Sequence, residues 1–295
     1  MRRRWFLLSP LSLAAQTRQV SSGAVSLKVA AVQFRSTHNI EENTPRVVSH
    51  LRQLAAQGVR VAVFPECALT GYDRDAVLAV TAQQLAAAEA QVRAACREYK
   101  IAAIVGSAHR TASRLYNVAL VINAQGELVE RYAKVYLAGE KWFTPGNHIA
   151  YFELEGVTST VIICHDERYP ELIRLPAIEG ARVAYYISHE SGVEQESKLA
   201  PYRAQLMARA VENGVHIVAA NAPANRAGGG SHGQSRIVAP DGNVRQEASI
   251  FGEDVLIEAL TVKPGRLERP LNEALGDWWR GGVEWMRSRR GRELE

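Results

Sequence analysis

Glu66, Lys134 and Cys164 each stand where a short apolar run of the sequence stops. Such runs, bounded by polar residues, are typical of buried strands. Ligand sites in layered α/β proteins lie outside the ends of strands. We therefore expect these three side chains to meet in one cleft.

A carboxylate, an ammonium and a thiol in one cleft can together cleave an acyl bond. The thiolate is the attacking species, but a free thiol is mostly protonated at neutral pH. Glu66 can accept the proton of Cys164 during attack on a carbonyl carbon and return it to a leaving amine. The Lys134 ammonium and the backbone N–H of His165 can stabilise the oxyanion of the tetrahedral intermediate. The predicted chemistry is nucleophilic acyl transfer.

Taken singly, each residue also has an ordinary structural explanation. A cysteine that ends an apolar strand is more often part of the core than a nucleophile. A glutamate after a proline commonly caps a helix, and a lysine at a strand end usually faces solvent. The catalytic interpretation is favoured because all three occur in matching positions.

The surrounding chain alternates predicted strands and helices. We predict strands at 27–34 and 149–154 and helices at 81–98 and 195–213 from their apolar periodicity. Asp241-Gly242 is a hairpin signal between later strands. This mixture of βα units and hairpins indicates α/β layers around mixed sheets.

The composition is that of an ordinary globular chain, with 47% hydrophobic and 22% charged residues among 295. Arginines at 2–4 supply three of the net +4 charges, so we predict no nucleic-acid partner. Cys67, Cys96 and Cys164 form neither a disulfide framework nor a metal-type pair. We expect no metal, no cofactor and no stable membrane span.

The N-terminus has the pattern of an export signal. Arg3 and Arg4 precede a short apolar stretch that ends near residue 15, which resembles a twin-arginine signal. Small residues stand at the positions that a signal peptidase reads. We predict a leader at 1–26 and an exported or periplasmic protein. The alternative is a cytoplasmic protein with a mis-assigned start codon.

Longer motifs surround the three reactive residues. They are Val63-Phe64-Pro65-Glu66, Thr70-Gly71-Tyr72, Tyr132-Ala133-Lys134-Val135-Tyr136-Leu137, Glu140-Lys141-Trp142-Phe143-Thr144-Pro145-Gly146, Ile163-Cys164-His165-Asp166-Glu167-Arg168-Tyr169-Pro170-Glu171, Ala208-Arg209-Ala210-Val211-Glu212-Asn213, Asn221 and the segment 233–242. In this order they resemble the carbon–nitrogen hydrolase (nitrilase) superfamily over about residues 27–260.

The resemblance implies a four-layer α-β-β-α sandwich of the α/β class, at 27–262, that commonly pairs into a homodimer or larger homo-oligomer. It also implies a catalytic triad of Glu66, Lys134 and Cys164. Glu140 maps onto the family's second glutamate, which positions the substrate and the triad lysine. The expected reaction acylates the cysteine, releases ammonia or an amine, and then hydrolyses the thioester.

The residues after the nucleophile narrow the expected substrate. Family members that act on nitriles usually carry Trp-Glu there, whereas this chain has His165-Asp166 followed by Arg168-Tyr169-Pro170-Glu171, which resembles the amidase and carbamoyl-amidase branches. His165 itself departs from that pattern, since an aromatic or amide residue is commoner at its position. We expect a small linear amide or N-carbamoyl amine as substrate, and expect Asp166 to hold the turn by accepting backbone N–H bonds. The alternatives are nitrile hydrolysis or acyl transfer by the same site, or a catalytically silent binding or scaffold protein.

Position by analogy identifies further candidate substrate-binding residues. Glu190 at the rim of the cleft would favour a cationic amide or carbamoyl amine. Residues 263–295 carry several tryptophans among arginines and could pack on the domain as an arm or cover a partner subunit. The candidate pocket residues are Tyr72, Trp142, His165, Ser188, His189 and Glu190, the last three after a predicted strand at 183–187.

Overall fold

The computed structural model describes residues 23–192, 199–227, 229–265, 273–291 and 294. The predicted leader at 1–26 lies almost wholly outside these residues, and export stays a prediction. The first strand begins at Val25, two residues before the predicted start of the domain.

Two six-stranded mixed sheets face each other, and helices cover both outer faces. The strand orders are β12-β1-β2-β3-β4-β5 and β11-β10-β9-β8-β7-β6. This arrangement confirms the predicted α-β-β-α sandwich. The strands are β1 (Val25–Gln33), β2 (Val61–Val63), β3 (Ala102–Arg110), β4 (Leu115–Ile122), β5 (Leu128–Ala133), β6 (Phe152–Leu154), β7 (Val157–Ile163), β8 (Val183–Ser188), β9 (His216–Asn221), β10 (Arg236–Val238), β11 (Val244–Glu247) and β12 (Asp254–Val262).

The helices divide between the two outer layers. Helices α1 and α3 pack together on the first sheet, and α4, α5 and α6 belong to the second. The turn expected after Cys164 is a short 3₁₀ helix at Cys164–Arg168. The helices are α1 (Ile40–Ala56), α2 (Arg74–Ala79), α3 (Ala82–Tyr99), α4 (Glu171–Ile178), α5 (Leu199–Asn213) and α6 (Glu273–Ser288).

Strand β1 shows how the sequence specifies these layers. Leu27, Val29 and Ala31 belong to the core between the sheets. Ala30 and Val32 belong to the core beneath α1 and α3. Alternate residues of a strand point to opposite faces, so a strand buried on both faces is almost continuously apolar.

The predicted strand at 149–154 is wrong over its first half, because β6 comprises only Phe152–Leu154. The carbonyl of Ala150 accepts a hydrogen bond from the Thr160 hydroxyl at 2.8 Å. A side chain therefore takes the place of a neighbouring strand at that carbonyl.

The C-terminal helix α6 covers its own domain. Val283 and Met286 are buried in the core shared with α4, while Trp278 and Trp285 remain exposed. No helix of the described residues is long and apolar enough to cross a bilayer. Pairing with a second subunit stays a prediction.

At two of the three strand ends that carry Glu66, Lys134 and Cys164, a glycine lets a neighbouring segment pass close against the backbone. A Cβ atom on Gly106 of β3 would lie 2.1 Å from the Pro65 carbonyl oxygen and 2.7 Å from Glu66 Cα. A Cβ on Gly146 would lie 2.2 Å from the Ala133 carbonyl oxygen, beside Lys134. Both neighbours are backbone atoms, so a side chain at either glycine would displace a reactive residue.

We expect Gly106→Ala to lower the free energy of unfolding by about 1–3 kcal/mol, since the added methyl must push backbone aside. Urea denaturation measures this change. Gly281→Ala is the control, because Gly281 lies in α6 with open space around it; it should stabilise by up to about 1 kcal/mol. Equal stability of Gly106→Ala and the wild type would contradict the close approach.

Candidate active site

The centre of the site is the Lys134 ammonium, held between two carboxylates. Lys134 Nζ lies 2.9 Å from Glu66 Oε1 and 2.6 Å from Glu140 Oε1. The Lys134 and Glu66 side chains are 0% exposed and that of Glu140 is 4% exposed. Buried charges persist only when they are paired and hydrogen-bonded. The structure therefore brings together three of the four predicted catalytic side chains around one ion-pair network.

Glu66 is held by two further donors. The Asn117 side-chain amide donates to Glu66 Oε1 at 2.6 Å, and the His189 backbone N–H donates to Glu66 Oε2 at 2.8 Å. Asn117 lies in β4 and was not identified from the sequence. Its position next to Glu66 depends on sheet pairing across 51 residues, which no local sequence pattern reveals.

Glu140 is fixed from its own loop and from Tyr72. The Tyr72 hydroxyl donates to Glu140 Oε1 at 2.6 Å. The Ala138 backbone N–H donates to Glu140 Oε2. The short segment between Lys134 and Glu140 thus folds back far enough for the two side chains to meet.

Cys164 stands at the end of β7 in an unusual backbone conformation. Its φ is +48°, in the left-handed region that residues other than glycine rarely adopt. Such strain persists only where the surroundings enforce it and is concentrated at functional sites. Cys164 Sγ contacts the His189 carbonyl oxygen at 3.9 Å.

Asp166 ties the Cys164 turn to the Lys134 loop. Its carboxylate accepts the backbone N–H of Ile163 at 3.1 Å and that of Tyr136 at 2.9 Å. It also accepts the Tyr132 hydroxyl at 2.8 Å. The expectation that Asp166 holds the turn through backbone N–H bonds agrees with this geometry. The Asp166 side chain therefore links the end of β7 to the loop that follows Lys134.

The two glutamates have pKa values that move in opposite directions. Burial raises the pKa of Glu66 above its usual range, although Lys134 opposes this shift. Burial also acts to raise the pKa of Glu140, but Lys134 and the Tyr72 hydroxyl outweigh it and lower the pKa. Burial would lower the pKa of Lys134, yet the surrounding negative charges raise it overall. Lys134 and Glu140 therefore form a stable ion pair, and Glu66 is the carboxyl poised to exchange a proton.

Burial and the nearby Glu66 charge raise the pKa of the Cys164 thiol, while Lys134 acts to lower it. The thiol is accordingly protonated at neutral pH before substrate arrives. An attack on substrate from this state needs a base that takes the proton as the new bond forms.

Tyr72 and His189, two of the predicted pocket residues, form one wall beside this network. Their rings stack 4.7 Å apart and 13° from parallel. Burial lowers the pKa of His189 to about 4, so its ring is neutral at pH 7. Ser188 is fully buried, and its hydroxyl has no hydrogen-bond partner within the described residues.

Glu190 does not lie at the rim, so the expectation of a rim carboxylate is wrong. Its side chain is buried, with Oε2 2.8 Å from His232 Nε2 and Oε1 accepting the Tyr186 hydroxyl. Its backbone N–H donates to Asn221 Oδ1 at 3.3 Å, which turns the chain inward. The suggestion of a cationic substrate loses its basis.

The remaining candidate pocket residues make local contacts. The His165 ring lies edge-on to Tyr169 at 5.8 Å. Trp142 packs beside Phe143 against the core beneath α1 and α3. Substrate binding by either residue stays a prediction.

Glu167 is a buried acid that the sequence did not single out. Neither of its carboxyl oxygens has a hydrogen-bond partner within the described residues. Burial and the charge of Glu190 raise its pKa to about 9, so it is neutral at pH 7. Residues three apart eclipse in a 3₁₀ helix, which places Glu167 on the same face as Cys164. That spacing is the signal that a sequence reading could have used.

The site contains no arrangement for a metal ion: within the described part of the chain, no group of three His, Cys, Asp or Glu side chains is placed to hold one.

The protein-family model described as carbon-nitrogen hydrolase matches residues 28–266.

Curated relatives and solved structures agree with that match. The chain is 32% identical over 252 residues to the deaminated glutathione amidase of Escherichia coli O157:H7, covering 82% of this chain and 92% of the relative. It is 26% identical over 245 residues to the 2-oxoglutaramate amidase of Bacillus subtilis, covering 80% and 93%. The crystal structure of an amidase from Nesterenkonia sp. matches with a TM-score of 0.73 at 25% identity, covering 80% and 90%.

We expect Asp166→Ala to destabilise the fold by about 2–5 kcal/mol, because two buried backbone N–H groups and one hydroxyl lose their acceptor. Asp241→Ala is the control, since Asp241 is an exposed turn residue that accepts the Asn243 N–H at 3.0 Å; its cost should stay below about 1 kcal/mol. Urea denaturation of both variants tests this. Similar small losses would show that Asp166 does not hold the two strand ends.

Proposed function

The chain belongs to the carbon–nitrogen hydrolase family, and we propose that it hydrolyses a small linear amide or N-carbamoyl amine through a thioester on Cys164. The protein is a hydrolase of carbon–nitrogen bonds other than peptide bonds, as are its relatives named amidases. The observation that carries the proposal is the buried Lys134 ammonium between Glu66 and Glu140, beside the strained Cys164 turn.

In the acylation step Cys164 Sγ attacks the carbonyl carbon of the amide. The S–H proton passes to Glu66 as the carbon–sulfur bond forms. The carbonyl oxygen becomes an oxyanion, which the Lys134 ammonium and the His165 backbone N–H stabilise. Glu66 then protonates the nitrogen, the carbon–nitrogen bond breaks, and ammonia or an amine leaves. A thioester remains on Cys164.

Deacylation uses the same groups with water as the nucleophile. Glu66 takes a proton from the water molecule as the water oxygen attacks the thioester carbon. The second tetrahedral intermediate collapses, the carbon–sulfur bond breaks, and Glu66 returns the proton to the sulfur. The acid product leaves, and Cys164 is again a neutral thiol.

The opposite pKa shifts assign different tasks to the two glutamates. Glu66 exchanges protons because its pKa is raised toward the working pH. Glu140 stays ionised and holds the Lys134 ammonium in place through its contact at 2.6 Å. Amide rather than nitrile cleavage is favoured by His165-Asp166 after the nucleophile and by the relatives named as amidases.

We expect ammonia release from at least one member of a panel of small amides and N-carbamoyl amines, with nitriles as the comparison. Cys164→Ala should abolish the release, and Glu66→Gln should reduce kcat by about 10²–10⁴-fold, the usual contribution of a general base. Mass spectrometry of acid-quenched enzyme should find the acyl group on Cys164.

Cys96→Ala is the matched control, since Cys96 is a buried thiol in α3. It should retain turnover and the acyl adduct. Turnover that survives Cys164→Ala would refute the mechanism. Ligand binding without turnover of any compound would favour the silent binding protein, and transfer of the acyl group to an added amine in preference to water would favour an acyltransferase.

The pH dependence of kcat/KM should report the protonation of Glu66. The base must be ionised to act, and burial raises its pKa above 4.5. Activity should therefore fall as the pH is lowered, beginning at a higher pH than for an exposed glutamate. Lys134 keeps its proton because its pKa is raised, so its deprotonation should not limit activity below pH 10.5. Stopped assays from pH 4 to 10 measure the profile, and an acid limb that persists unchanged in Glu66→Gln would assign the titration to another group.

A further inference from the structure

A cavity lies between α3 and the outer face of the first sheet, away from the active site. Its volume is about 330 Å³. The described residues that line it do not include Glu66 or Cys164. On the helix side the lining residues include Ala82, Ala86 and Ala90, and helix residues four apart lie on one face. Their small side chains leave the space between the helix and the sheet open.

Three arginines from different elements line this cavity, which we call the arginine pocket. Arg93 belongs to α3, Arg110 ends β3 and Arg131 belongs to β5. Glu89 of α3 is the one carboxylate among the described lining residues. Burial and the charge of Arg131 lower the pKa of His109, which also lines the pocket, so its ring is neutral at pH 7. Three arginines and one glutamate give the lining a formal charge of +2.

Glu89 is already shared between two of the arginines. Its Oε2 lies 2.7 Å from the Arg131 guanidinium, and its Oε1 lies 3.8 Å from that of Arg93. The side chains of Glu89 and Arg131 are only 15% and 27% exposed. Charges withdrawn from water are costly unless they are paired. The pocket therefore lacks negative charge, and an added anion would be stabilised in it.

The Arg110 guanidinium is held in place with donors left over. It donates to the Leu78 carbonyl oxygen at 3.1 Å, near the end of α2. The ion pairs between described residues include none from Arg110. The Nε atoms of Arg110 and Arg131 are buried without a hydrogen-bond partner in the described part of the chain. Since a guanidinium has five N–H donors, this pocket can offer several of them to a ligand.

We propose that the arginine pocket binds the phosphate group of a small phosphate monoester. Such a group carries a charge of about −1.5 to −2 at pH 7, which complements the charge of the lining. Its oxygens accept hydrogen bonds from guanidinium groups, often two at a time. The cavity leaves room for the rest of a small molecule. This site is separate from amide hydrolysis at Cys164 and does not depend on it.

Calorimetric titration with inorganic phosphate at pH 7.5 tests the proposal, with sodium chloride holding the ionic strength constant. We expect saturable binding of one phosphate per chain. Acetate should bind at least about tenfold more weakly, because a monoanion makes fewer charge-assisted hydrogen bonds. Phosphate binding that does not saturate by about 10 mM, or acetate binding of equal strength, would overturn the proposal.

Two variants of the lining should act in opposite directions. Arg110→Gln should weaken phosphate binding about tenfold or more, because it removes a charged donor. Glu89→Gln should strengthen phosphate binding, because it removes the competing carboxylate and raises the charge of the lining from +2 to +3. The second variant keeps the proposal falsifiable if the loss of the Arg110 contact with α2 impairs folding.

Arg60→Gln is the matched control for net charge, because Arg60 is exposed and pairs with Glu155 outside the pocket. It should leave the affinity for phosphate within about twofold of the wild type, since a distant exposed charge is screened. Equal weakening in Arg110→Gln and Arg60→Gln would show that phosphate responds only to the net charge of the protein. That result, or unchanged affinity in Glu89→Gln, would reject the arginine pocket as a binding site.

Discussion

The site depends on one buried positive charge. Lys134 Nζ is withdrawn from solvent and held by Glu66 and Glu140 at 2.9 and 2.6 Å. Removing one partner of a buried ion pair typically costs about 3–5 kcal/mol because the other charge is left uncompensated. The same network produces the functional asymmetry, since Lys134 keeps Glu140 ionised while burial lifts the pKa of Glu66. Stability and acid–base chemistry therefore have a common origin.

The backbone around this charge is arranged with little freedom. Cys164 adopts a φ of +48° at the end of β7, and Asp166 joins its turn to the loop after Lys134. Gly106 lets β3 pass against the backbone of Glu66. Strand ends in a sandwich are fixed by the packed core on either side. The reactive groups thus inherit their positions from the sheets, and the surrounding hydrogen bonds set their orientation.

The sequence predicted the elements best where one physical signal dominated. Helix α3 has regular apolar spacing and a capping box between Thr81 and Gln84, so its position was predicted nearly to the residue. The strand expected at 149–154 was only half formed, because apolar character alone does not show where a carbonyl finds its partner. Glu190 was placed at the rim from its position after a strand, but contacts with Tyr186 and His232 draw it inward. His232 is distant from Glu190 along the chain, and Tyr186 reaches it only because both side chains lie on the same side of the fold. The spacing of apolar residues in the sequence reveals neither contact.

By itself the sequence determined which chemistry is available. The apolar runs that end at Glu66, Lys134 and Cys164, together with the motifs around them, indicated the α-β-β-α sandwich and a cysteine-dependent cleavage of carbon–nitrogen bonds. Only the tertiary structure decided which of the two glutamates has a raised pKa and which stays ionised beside Lys134. A pKa shift depends on burial and on neighbours that are distant along the chain.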